Sequence, residues 1–118
     1  MRNNHPRIAR LSVRVTLEQP QATEDELGGR AIVWNALATF WAGIEPLIGR
    51  ETADGLWHDQ PAGRLRARIW LRQCSDATPA PGMRLVETAT ERTWLIEAVA
   101  DPDGARRYWL CLCEARPL

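Results

Sequence analysis

Residues Gly28 to Glu51 read GGRAIVWNALATFWAGIEPLIGRE, and the reading of this stretch decides the fold. As a strand, Ile32, Trp34, Ala36, Ala38, Phe40, Ala42 and Ile44 make one unbroken apolar face, with Asn35, Thr39 and Glu45 opposite. As a helix, Trp34, Leu37, Ala38, Trp41 and Ile44 also share a side. The alanines favour the helix, whereas the aromatic and β-branched residues and the Gly28-Gly29 turn favour the strand. On the residues alone the two readings balance.

The surroundings of this stretch are more decisive. Upstream, Leu11, Val13, Val15 and Leu17 alternate with Ser12, Arg14, Thr16 and Glu18, the pattern of a half-buried strand that Pro20 is expected to end. The acidic segment QATEDELGG, 21–29, reads as a loop that returns the chain antiparallel. Its Glu24, Asp25 and Glu26 are consecutive and lack the spaced ligands of a calcium loop, so a solvated turn is expected there. Downstream, Leu65, Ala67, Ile69 and Leu71 alternate with Arg64, Arg66, Arg68, Trp70 and Arg72. Cys74 to Gly82 has loop composition and Met83 to Glu87 reads as a polar turn. Thr93 to Ala100 alternates, with Trp94, Ile96 and Ala98 on one face, and Asp101-Pro102-Asp103-Gly104 is a turn signal before a last strand over 107–114. Together these describe an all-β protein, a small barrel or sandwich of about six antiparallel strands with a long loop between strands 2 and 3.

Length allows a single domain over residues 11–118, preceded by a polar tail over residues 1–10. A chain of 118 residues buries roughly two-thirds of its unfolded surface, enough for a core. Fifteen arginines balance fifteen acidic residues, which argues against a dedicated non-specific DNA binder, so any basic surface is local. There is no lysine; base composition of the genome accounts for most of that bias, and the bidentate geometry of Arg suits contacts besides. The odd count of three cysteines and the absence of an apolar signal run in MRNNHPRIAR suggest a reducing cytoplasm, and no run is long enough to span a bilayer.

No reaction centre is expected. His5 falls in the tail, and His58 beside Asp59 has no nucleophile to activate. Cys111 and Cys113 share a strand face and read as small core side chains; a closed zinc site would need two more ligands, so neither a metal nor a cofactor is expected. Two stretches invite contact instead. The loop Glu45 to Gly63, rich in Pro and Gly, carries Trp57, which a disordered linker seldom does and a loop that buries itself in a neighbour often does. The strand face with Arg64, Arg66, Arg68, Trp70 and Arg72 offers three readings: a solvated face paired with Glu side chains, a contact with a protein partner, or a platform for single-stranded nucleic acid.

The order of features then resembles one family. The alternating N-terminal strand, the acidic Gly-ended turn, Trp34, the run Phe40 to Leu47, Gly49-Arg50-Glu51, the Arg-flanked strand, Pro81-Gly82-Met83-Arg84 and a hairpin closed around Asp101-Pro102 are similar to the head-tail joining proteins of long-tailed phages and gene transfer agents. The resemblance spans about residues 9 to 115 and assigns the segment carrying Trp34 and Trp41-Ala42 to a strand. It departs after Glu51, where Gly55 and Pro61 interrupt what the family carries as a longer polar segment. It implies a non-enzymatic connector, or stopper, in the virion, assembled in the bacterial host cytoplasm as a hexameric or dodecameric ring. The implied partners are the portal or adaptor protein, a tail terminator or tail tube protein, and double-stranded DNA passing through, with no membrane. The implied channel loop holds Glu45, Gly49, Arg50, Glu51, Leu56, Trp57 and His58.

Overall fold

A computed structural model describes residues 10–24, 26–47 and 65–116 of the chain. They form six strands: β1 (Val13–Glu24), β2 (Arg30–Leu47), β3 (Arg66–Arg72), β4 (Arg84–Glu87), β5 (Thr93–Ala100) and β6 (Tyr108–Arg116). Every neighbouring pair is antiparallel, in the order β1-β2-β3-β6-β5-β4, and β4 returns to β1 so that the sheet closes into a barrel. The balanced stretch is therefore a strand, with Phe40 and Ala42 buried on its even face.

The core follows from the alternation. Val15 and Leu17 of β1, Ala67, Ile69 and Leu71 of β3, Trp94 and Ile96 of β5 and Cys111 and Cys113 of β6 all turn inward, joined by Leu85 of β4. Fully burying a side chain such as Leu17 contributes about 2 kcal/mol. Trp94 brings a polar atom inside with it, and its Nε1–H donates to Glu87 Oε2 at 2.8 Å, which offsets the desolvation of the indole.

Five expectations are corrected, each for a reason of sheet context. Residues 84–87, expected as part of a turn, form β4. Four residues are too few to show a period, and what makes them a strand is pairing on both sides, Arg84 with Leu95 of β5 and with Glu18 of β1. The turn lies just before them, where Ala80 O accepts the Met83 N–H at 3.1 Å, Pro81 fixes φ and Gly82 supplies φ 93°.

Pro20 does not end β1. Past Glu18 that strand pairs with β2 alone, so Pro20 stands on an open edge where its missing N–H costs no ladder bond. The loop expected over 21–29 shrinks to the few residues between Glu24 and Arg30. Likewise β2 runs through Pro46 to Leu47, so Glu45 lies in a strand opposite Arg68 rather than in a loop. In β5 the register slips between Ile96 and Ala98; after this bulge Val99 opposite Cys111 packs on the core, and Ala98 faces outward.

Candidate functional site

Three surfaces of the described residues have the residue types of a contact: the face of β3, a projecting hairpin, and a groove at the far end of the barrel.

On β3 the arginines are largely matched by acids. Arg66 Nη2 lies 2.6 Å from Glu97 Oε1, the residue at the β5 bulge, and Arg68 lies 3.8 Å from Glu45. Trp70, expected outside with them, is 5 % exposed, opposite Gly43 on β2 and Leu110 on β6. Arg72 is exposed and borders a shallow hollow with Leu11, Thr39 and Trp41. Arg66 and Arg68 thus each stand beside a Glu, and Trp70 is covered where a base would have to stack. Gly49, Arg50, Glu51, Leu56, Trp57, His58 and Arg64, like His5, lie outside the described residues.

The hairpin was not legible as a projecting element. From Gln19 to Glu24 and from Arg30 to Asn35, β1 and β2 pair only with each other, forming a two-stranded arm beyond the barrel. A bulge at its base, where Leu17 faces Ala38 and Glu18 faces Ala36, leaves Leu37 as the extra residue and adds twist. One cluster braces this base. Arg84 Nε meets Glu18 Oε1 at 2.6 Å while its guanidinium lies 4.2 Å from the centroid of the Trp34 ring. Along the arm, Asn35 Nδ2 donates to Gln21 Oε1 at 2.7 Å. Apolar side chains are nevertheless open to water on the arm and just below it: Leu27 at the tip is 94 % exposed, Ile32 62 % and Trp41 51 %, the last stacked under Arg14 at 4.8 Å. The signal was present in the sequence as the consecutive pair Ile32-Val33, which gives neither face of the arm to water alone.

The groove lies between β3, β6 and β5 on the outer surface. Leu47, Ala98, Val99, Ala100, Leu110 and Leu112 line it, Arg66 and Arg68 stand at its rim, and its volume is about 420 Å³. It exists because the β5 bulge turns Ala98 and Ala100, rather than larger residues, toward the outward leucines of β6.

The two thiols of β6 are buried, whereas Cys74 is exposed. Burial pushes the Cys111 thiol up to about 12 and pushes Cys113 up as well, with Cys111 and Glu97 adding to the latter shift. Both stay protonated at neutral pH, and a thiolate ligand or nucleophile would have to form against that burial.

With this geometry in hand, the chain can be set beside known proteins. The model of a family described as phage head completion protein matches residues 6–116. A chain of the virion of a native gene transfer agent particle is similar in structure, with a TM-score of 0.64 and 26 % sequence identity over 93 % of this chain and 96 % of that one. Protein SF1141 from Shigella flexneri 2a shares the fold, with a TM-score of 0.56 and 22 % identity over 96 % of each chain. No curated protein matches in sequence.

Proposed function

Because the chain belongs to the phage head completion protein family, we propose that this structural protein of the phage-type virion works as a connector of the stopper type. Copies form a ring beneath the portal or its adaptor, DNA passes through the ring, and the tail docks on its lower face. The observation that carries this reading is the near end-to-end likeness to a chain of a gene transfer agent virion. The barrel supports it physically: within the closed sheet the strand edges are satisfied without a partner, which leaves the arm and the groove as contact surfaces.

The segment 48–64 follows Leu47 directly and, in this reading, reaches the channel and narrows it. Trp57 within it packs on a neighbouring copy or on the adaptor. Replacing Trp57 with Ala should weaken docking by about 2 kcal/mol, the scale of a buried interface aromatic, and unchanged docking would remove that role.

The competing reading, a single-stranded nucleic-acid module on the β3 face, loses its stacking platform with Trp70 buried and two of its arginines paired. Electron microscopy of particles made by the source locus without this gene separates the two. Filled or leaking heads lacking tails are expected; normal tailed particles holding DNA would remove the connector reading. Oligonucleotide affinity that falls steeply with salt would then point to β3.

A further inference from the structure

Closing the barrel leaves two apolar features without cover among the described residues, and they match each other. The arm ends in Leu27, with exposed Glu24 and Glu26 around it and exposed Ile32 and Val33 behind it. The groove offers Leu47, Leu110 and Leu112 as an apolar floor and Arg66 and Arg68 as a rim. One is an apolar knob flanked by Glu24 and Glu26, with Arg30 opposite Glu24 across the arm, and the other is an apolar hollow with a basic edge. Arg68 is about half exposed and only 3.8 Å from an equally exposed Glu45, so its fork of donors has capacity beyond that pair.

Within one chain the knob and the hollow lie at opposite ends of β2. The arm begins where β2 begins, at Arg30, and the groove lies where β2 ends, at Leu47. Eighteen strand residues separate those points, a contour of at most roughly 55 Å at a rise of ~3.3 Å per residue.

We propose that the arm tip of one copy seats in the groove of the next, head to tail, with Leu27 among Leu47, Leu110 and Leu112 and with Glu24 and Glu26 against Arg66 and Arg68. A contact between two different patches of one chain is heterologous; it closes into a ring when the rotation between copies sums to a full turn. The proposal rests on the connector reading and states how copies within that ring touch.

The test places Leu27→Cys and Leu112→Cys in a Cys74→Ser chain, supplied in place of the natural one to the locus that makes the particles. Purified particles are oxidised and separated under denaturing conditions without reductant. A ladder at multiples of the 13.3 kDa chain, collapsed by reductant, is the expected result. A lone monomer band from particles that contain the chain overturns the arm-in-groove contact and leaves the connector reading standing. A band joining the chain to a different virion protein overturns it too, by assigning the arm or the groove to that protein. Absence of the natural chain from purified particles instead sinks the connector reading itself. Should the cysteine chain fail to enter particles, charge reversal decides. Glu26→Arg should lower the yield of tailed particles roughly tenfold, the scale of one lost charged contact, and Arg68→Glu in the same chain should restore it. A yield unmoved by Glu26→Arg, or a loss that Arg68→Glu does not repair, overturns the contact.

Discussion

The barrel and the arm are built from the same two strands and obey opposite rules. In the first half of β1, Val15 and Leu17 are fully buried, flanked by β2 on one side and β4 on the other. A few residues later the same strand has β2 as its only partner, and every residue from Gln19 to Glu24 is exposed. A two-stranded ribbon is marginal in water by itself, so the arm borrows its order from the barrel through the Trp34, Arg84 and Glu18 cluster at its root. The barrel stores the stability of the molecule, and the arm displays surface that stability alone would not keep. Substitutions should therefore divide cleanly between those that unfold the protein and those that the isolated protein does not register.

The largest effect is expected inside the barrel. Leu17→Ala removes a fully buried side chain one residue before the bulge and should cost about 3 kcal/mol, read as a lowered denaturant midpoint with an unchanged slope. A cost below about 1 kcal/mol would mean that the core can collapse around the gap and that the barrel is not the rigid half.

A pH titration tests the same half without changing its shape. The Cys111 thiol, ordinarily at 9.0, is raised to about 12 by burial, and Cys113 is raised with it. Above pH 9 the unfolded chain releases these protons while the folded chain keeps them, so the folded state then binds more protons than the unfolded. The contribution is fully present below about 9 and falls as pH rises toward about 12, by ~1.4 kcal/mol per pH unit for each thiol. Denaturant midpoints measured from about pH 8 to about pH 11 should decline, and Cys111→Ala with Cys113→Ala should flatten that decline. An equal decline in the double variant would assign it to other groups.

What could be read from sequence follows the same division. Where a strand is flanked on both sides and buried on one face, its own residues carry the pattern: Val15 and Leu17, Ala67 to Leu71 and Cys111 with Cys113 alternate as found. Where the outcome depends on which edge is open, the pattern is silent. Pro20 looks like a terminator until β4 is seen to stop at Glu18, and Val99 changes face only because Glu97 is bulged. Trp70 alternates with the core residues of β3 as the sequence reads it, yet it is only 5 % exposed, which its own strand's pattern does not carry. The matched charges on β3 were foreseeable as a class, although Glu97 as the partner of Arg66 depends on that same bulge.

The joint between the halves should give an intermediate effect. Arg84→Ala removes both the pair with Glu18 and the stack on Trp34, partly exposed contacts together worth about 1 kcal/mol. The informative readout is local. Amide exchange should quicken across Gln19–Glu24 and Arg30–Asn35 while the protected amides of β3 and β6 shift only with global stability. Uniform quickening would show that arm and barrel open together, which would erase the distinction between them.

The smallest effect on the isolated protein is expected at the arm itself, and there the comparison is sharpest. Ile32→Ser changes a side chain that is 62 % exposed and paired across the arm with Ala22, so the denaturant midpoint should correspond to a change within about 0.5 kcal/mol. If apolar surface is kept on the arm because a neighbour covers it, the same substitution should lower the yield of tailed particles while leaving the purified chain folded and equally stable. A loss of stability as large as that of Leu17→Ala would place Ile32 in the core of the fold. An unaffected particle yield would leave the exposed apolar residue without a function at that position, and the remaining argument for a partner would then rest on Leu27 at the tip.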